Sequence, residues 1–204
     1  MFVKICGITR VDDALAAAEA GANAIGFVFW PKSPRFIDPF RARTIARALP
    51  AFVTPVGLFV DQPLEYIHGV ASLVHLGAVQ LHGDETPAFA ASIAVPIVKA
   101  LPVDRAATWP EGSTLLLDAH DPVQRGGTGR TIDWTAAAKV AAARRVLLAG
   151  GLTPDNVADA IARVRPFGID VSSGVERAPG VKDHRRIVAL FEAVHGTGHI
   201  TARS

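Results

Sequence analysis

A chain of 204 residues with 50% hydrophobic and 20% charged side chains can bury a sizeable core, which excludes a disordered or low-complexity polymer. Its 21 Lys and Arg against 19 Asp and Glu leave a net +2, without the basic run that tracks a nucleic-acid backbone. The single cysteine excludes an internal disulfide and a cysteine-based zinc site, and no stretch reaches the ~18 apolar residues of a membrane span.

The first segment, Met1–Cys6, lacks the charged-then-apolar layout of a signal peptide, so a soluble cytoplasmic protein is expected. From there one pattern recurs: a short apolar run, then an Ala-rich amphipathic stretch. The apolar runs are Val3–Gly7, Ala24–Phe29, Thr54–Val60, Ala78–Gly83, Pro96–Leu101, Thr114–Ala119, Val146–Gly151 and Gly168–Gly174. Runs of this kind fit strands buried on both faces, as in a parallel sheet. Helices are predicted over Asp12–Ala20, Pro39–Leu49, Pro63–Leu76, Thr86–Ile93, Asp133–Arg144, Pro154–Val164 and Asp183–Val194. Thr9 to Asp13 supplies polar caps, Asp38-Pro39 and Thr153-Pro154 each read as a cap followed by Pro at the first helical position, and Gly21 and Gly77 fall where helices would stop. Pro102–Ser113 carries Pro102, Pro110 and Gly112, so a loop or a single turn is expected there.

Eight strands alternating with seven helices suggest an α/β fold, a (β/α)8 TIM barrel whose fifth helix is short or absent. A doubly wound open sheet would alternate in the same way. No linker-like shift in composition appears, so residues 1–194 are expected to form one domain, with His195–Ser204 as a polar tail.

A barrel of this kind carries its active site at the C-terminal strand ends. Side chains alternate along a strand, so Lys4 shares a face with Cys6 and the only thiol lies at the mouth, either as a base or nucleophile or as a small buried filler. Asp118 ends an apolar run, where it is a general acid with a raised pKa or the boundary of a loop. Asp170 and Ser172 share a face of the last strand, which barrel closure places beside the first; an ion pair between Lys4 and Asp170 is therefore expected. Gln80 and His82 share the inward face of the fourth strand, which substrate contact and interior hydrogen bonding explain equally well. Two glycine-containing loops, Gly150-Gly151-Leu152 and Ser172-Ser173-Gly174, follow strands seven and eight, the usual phosphate position in this fold. Arg35, in a loop restricted by Pro31 and Pro34, suits recognition of a carboxylate or is a solvated charge. Pro122–Arg130, with Gly126-Gly127-Thr128-Gly129, reads as a mobile cover. The histidines show no metal-ligand spacing, and no nucleophile elbow or dinucleotide fingerprint is present.

Taken together, Lys4-Ile5-Cys6-Gly7-Ile8-Thr9, Gly26–Phe29 with Pro31–Arg35, Gln80-Leu81-His82-Gly83, Leu117-Asp118-Ala119 with Gly126–Gly129, Ala149–Leu152 and Asp170–Glu176 resemble the phosphoribosylanthranilate isomerase family of tryptophan biosynthesis. The resemblance runs in order through nearly the whole chain. It implies an Amadori rearrangement of N-(5-phosphoribosyl)anthranilate to 1-(2-carboxyphenylamino)-1-deoxyribulose 5-phosphate, without metal or organic cofactor. It implies that Asp118 is the general acid and Cys6, as thiolate, the general base. It further implies that Arg35 meets the anthranilate end or the reacting hydroxyls, that Gln80 and His82 contact substrate, and that the backbone at Gly150, Gly151, Leu152, Ser173 and Gly174 holds the phosphate. The expected partner is a phosphorylated small molecule, with no nucleic acid and no membrane, for a monomer or homodimer. Another phosphosugar barrel enzyme (an epimerase, aldolase or lyase, with Lys99 as a Schiff-base lysine) or a non-catalytic phosphometabolite-binding barrel are the competing readings.

Overall fold

A computed structural model describes residues 1–118 and 132–196. Eight strands, β1 (Phe2–Cys6), β2 (Ala24–Val28), β3 (Thr54–Phe59), β4 (Ala78–Leu81), β5 (Ile97–Leu101), β6 (Thr114–Leu117), β7 (Val146–Leu148) and β8 (Gly168–Val171), close into a barrel in sequence order. Every neighbouring pair is parallel, and β1 meets β8 with Lys4 opposite Asp170. Helices α1 (Val11–Ala20), α2 (Pro39–Ala48), α3 (Leu64–Val74), α4 (Pro87–Ala91), α5 (Trp134–Ala143) and α6 (Val157–Val164) lie between the strands in sequence, and α7 (His184–Gly196) follows the last of them.

Strand alternation divides the core in two. Val3, Ile5, Phe27, Phe59, Leu81, Leu115, Leu117 and Ile169 face outward and form one buried cluster with the helices. In α6 the buried positions are Val157, Ala160, Ile161 and Val164, the one-sided spacing of a helix laid on a sheet. In α1 the buried face includes Ala14 and Ala17, which lets that helix lie close to the strands. The inward positions are different. Ala100, Leu116, Leu147 and Ala149, with Phe2 and Val98, form an apolar plug inside the barrel, and Cys6 packs with Val28, Leu58 and Val60. The polar inward positions Lys4, Gln80 and Asp170 are what the plug leaves for chemistry.

Where the fifth helix would be, a 3-10 helix runs from Val103 to Thr108 between Pro102 and Pro110, and Arg144 donates to the carbonyls of Ala106 and Trp109. Other local expectations need correction. Arg10 caps α1 without a side-chain bond, because the Thr9 hydroxyl donates to Gly180 O instead and Asp13 is spent elsewhere. Pro154 is not the first residue of α6: Asn156 accepts from Thr153 N and donates to Gly151 O, holding a turn that delays the helix to Val157. His75, at φ 59°, takes the left-handed position after α3. Gly77 serves close packing, since a Cβ there would lie 2.7 Å from Thr54 Cγ2. The last helix runs through His195 and Gly196, which the reading of the sequence assigned to the tail; 197–204 lie outside the described residues.

One element has no counterpart in the sequence reading. After β8 comes a short 3-10 turn, Ser173–Val175, and then a hairpin of β9 (Glu176–Ala178) and β10 (Val181–Lys182). Its turn is Pro179-Gly180, with Gly180 at φ 75°, a position that favours glycine.

Candidate active site

The site forms where inward residues meet the loops at the C-terminal strand ends. Lys4, 2% exposed, lies inside the barrel and its Nζ is 2.8 Å from Asp170 Oδ1. Cys6, two residues further along β1, is also buried. Its closeness to Lys4 depends on Gly26 of β2: a Cβ there would lie 2.8 Å from Cys6 Sγ and 3.1 Å from Lys4 Cε. Burial pushes the Cys6 thiol above its ordinary range; Lys4 and Lys182 pull the other way without prevailing. Burial also opposes the charge on Lys4, but the Asp170 carboxylate and Cys6 outweigh it and the amine stays above the usual lysine range.

Further round the ring, His82 Nε2 lies 3.6 Å from Asp118 Oδ2, and Gln80 Nε2 lies 3.0 Å from His82 Nδ1. If the Gln80 amide donates there, the proton of a neutral His82 is on Nε2, toward Asp118. Asp118 itself follows β6, its backbone N–H bonded to Leu101 O.

The loops after β7 and β8 meet. Gly150 and Gly151 have φ of 82° and 62°, and Gly174 packs against the Leu152 carbonyl so closely that a Cβ there would overlap it. The 3-10 turn at Ser173 begins with N–H groups that such a turn leaves without internal partners, a ready place for an anion. The Ser172 hydroxyl donates to Cys6 O at 3.0 Å, tying this loop to the end of β1.

Arg35 is not a loose surface charge. Its Nε and Nη2 form a fork on Glu176, at 3.0 and 2.7 Å, and Lys182 Nζ holds the same carboxylate at 2.8 Å. Burial raises the Glu176 pKa but its two cations outweigh this and lower it; burial lowers the Lys182 amine, Arg35 adds to that, and the pull of Glu176 and Cys6 does not make it up. Among the described residues no group of three or more His, Cys, Asp or Glu is placed to hold a metal ion.

Comparison with known proteins gives this geometry its context. The family model for N-(5'-phosphoribosyl)anthranilate (PRA) isomerase matches residues 3–193. The chain belongs to that family. The N-(5'-phosphoribosyl)anthranilate isomerase of Pelobacter propionicus is 52% identical over 190 residues, covering 91% of each chain. A phosphoribosylanthranilate isomerase crystallised with reduced 1-(o-carboxyphenylamino)-1-deoxyribulose 5-phosphate is 44% identical, with a TM-score of 0.87 over 96% of this chain and 99% of that one. Monomers generated from the dimeric phosphoribosylanthranilate isomerase of Thermotoga maritima are 42% identical, with a TM-score of 0.86 and the same coverage.

Against the expectations drawn from a phosphoribosylanthranilate isomerase, the structure brings Cys6, Gln80, His82 and Asp118 to the barrel mouth and puts Gly150, Gly151, Leu152, Ser173 and Gly174 in two touching loops. The expected Lys4–Asp170 pair is present. The segment Pro122–Arg130, read as a cover, lies outside the described residues. Lys99 does not fit a Schiff-base role: it faces away from the barrel interior, with Nζ 2.6 Å from Gly83 O and 2.8 Å from Glu85 Oε2. Two residues were missed, Glu176 and Lys182. Glu176 closes the motif that begins at Asp170, and the Pro179-Gly180 dipeptide signals the turn that brings Lys182 back to it.

Proposed function

We propose that this member of the family isomerises N-(5-phosphoribosyl)anthranilate with Asp118 as general acid and Cys6 as general base. The observation that carries the assignment is the mouth itself, where the chain's one thiol ends β1, Asp118 follows β6, and two glycine-containing loops follow β7 and β8. Asp118 gives its proton to the ribose ring oxygen; the bond from that oxygen to C1 breaks and a Schiff base forms with the anthranilate nitrogen. The Cys6 thiolate then takes the proton from C2, the electron pair moves toward the nitrogen, and the enolamine tautomerises to the ketone. A thiolate in a site that disfavours it is a stronger base once formed. His82, held by Gln80, faces Asp118 and accompanies the reacting end of the sugar. Arg35 receives the anthranilate carboxylate, and the backbone at Gly150, Gly151, Leu152, Ser173 and Gly174 receives the phosphate. Among the described residues no helix is long and apolar enough to cross a membrane. A base that must stay a free thiol suits the reducing cytoplasm.

The test generates the substrate in situ and follows the loss of its fluorescence. Cys6→Ala and Asp118→Asn should each lose ~10²–10⁴-fold in rate. A loss under about tenfold in both, below the range of general acid–base catalysis, would sink the assignment.

A second copy of this chain is the proposed protein partner. Phe52 is fully exposed on the loop between α2 and β3, at φ 71°, and Met1 and Phe167 are exposed at the same, N-terminal, end of the barrel. An aromatic held out in this way is an anchor without a pocket. The dimeric Thermotoga maritima relative supports the same reading.

A further inference from the structure

We infer that Glu176, itself held by Lys182, is the positioning residue for Arg35, and that the β9–β10 hairpin exists at this mouth to aim that guanidinium at the carboxylate end of the substrate. The inference rests on the reading of Arg35 given above. Arginine has a long side chain with much rotational freedom to lose, so a free Arg35 would meet substrate at an entropic cost. Here that freedom is already gone. The stem lies over the end of β1, where a Cβ on Gly7 would be 2.6 Å from Arg35 Cδ. One edge of the fork is committed to Glu176, with Nε 3.0 Å from Oε1 and Nη2 2.7 Å from Oε2, leaving Nη1 outside that grip.

Glu176 is fixed in turn. Its side chain is 4% exposed, and Oε1 accepts from Lys182 Nζ at 2.8 Å and from Gly180 N at 3.2 Å. The hairpin is anchored to the first βα unit at two points. Lys182 N donates to Asp13 Oδ2 at 2.9 Å, and the Thr9 hydroxyl donates to Gly180 O at 2.5 Å. Lys182 also donates to Ser172 O at 3.1 Å, so the phosphate loop and the arginine clamp share one amine. Two cations on one carboxylate leave a single positive charge over, at the mouth, for an anion. A buried lysine whose burial is not repaid adds little to stability, and an apolar side chain would fill its place as well. Holding Glu176 in register with Arg35 is what an apolar side chain could not do.

A double-mutant cycle tests this, with Arg35→Met, Glu176→Gln and the two together. Glu176→Gln should raise KM on the order of tenfold, the scale of one charge-assisted hydrogen bond. Its kcat should stay within about twofold, because the loss is in binding. Affinity for the reduced anthranilate-bearing product analogue should fall in parallel, while competition by ribose 5-phosphate, which lacks that end, stays unchanged. In the Arg35→Met background Glu176→Gln should add less than about twofold. Equal effects in both backgrounds, a fall in KM, or a parallel loss for ribose 5-phosphate would overturn the inference. A wild-type KM in Arg35→Met alone would remove the reading of Arg35 on which it stands. Should a thermal melt show Glu176→Gln unfolded, Glu176→Gln with Lys182→Met removes the stranded cation together with its partner, and the same cycle is run on that protein.

Discussion

Lys4 is a lysine buried inside a barrel, and Asp170 balances its charge. The residue that gains from this is Cys6. Burial alone raises the thiol, and the groups facing it are Lys4 on its own strand, Asp170 from β8 and Lys182 from β10. Removing the Lys4 cation takes away the largest downward pull, and the Asp170 carboxylate left behind pushes upward as well. The sign is therefore fixed: in Lys4→Met the thiol must titrate higher than in the wild type. Since Cys6 is the only cysteine, the pH dependence of alkylation reads this one group directly. The midpoint should rise in Lys4→Met and return part of the way in Lys4→Arg, and the alkaline rise of kcat/KM should move with it. An unmoved midpoint would show that Lys4 fills space and no more. Gly26 has a matching role at this scale, because its missing side chain is the space in which thiol and amine lie side by side.

The elements divide into those legible from sequence and those that are not, for physical reasons. Runs such as Leu115–Leu117 and the spacing of Val157, Ala160, Ile161 and Val164 carry their own periodicity, so strands and helices could be read to within a few residues. The hairpin could not be read in this way: a strand of three residues and one of two have no period to detect. The same holds for the site. Cys6, Asp118 and the glycine loops announce themselves as unusual types at strand ends, whereas Glu176 finds Arg35 across 141 positions of sequence. Asp13 is a further case. It looks like an acidic residue in a first helical turn, yet it is 2% exposed and accepts from Lys182 N and pairs with His184 Nε2 at 2.8 Å. Asp13→Ala would strand a buried N–H and loosen the hairpin from α1. Urea unfolding should show a loss of about 1–3 kcal/mol, the cost of an unsatisfied buried donor. Stability within experimental error of wild type would mean that the hairpin is held from elsewhere.

At the scale of the whole molecule the two ends of the barrel carry different surfaces. The C-terminal strand ends gather the charged and glycine-rich groups, with Phe36 and Phe40 exposed beside them, and the N-terminal end exposes Phe52, Phe167 and Met1, Phe52 completely. The second surface is assigned to a second copy of the chain. Sedimentation should show a dimer for the wild type, and Phe52→Asp should weaken its association at least about thirtyfold, as loss of an interface anchor does. A wild type that sediments as a monomer at every concentration would end that reading. The proposed isomerase site draws on one barrel mouth only, so activity should survive the substitution. The ion pair between β1 and β8 has a different consequence, one of timing. Lys4 and Cys6 lie on β1, whereas Asp170 lies on β8 and Glu176 and Lys182 follow it in the hairpin, so Lys4 meets its partner across 166 positions of sequence. Until β8 docks, the Lys4 amine has no Asp170 carboxylate to balance it, and neither Lys4 nor Cys6 is sheltered from water. The Lys4–Asp170 pair is thus a marker of closure, formed only when the first and last strands of the barrel meet.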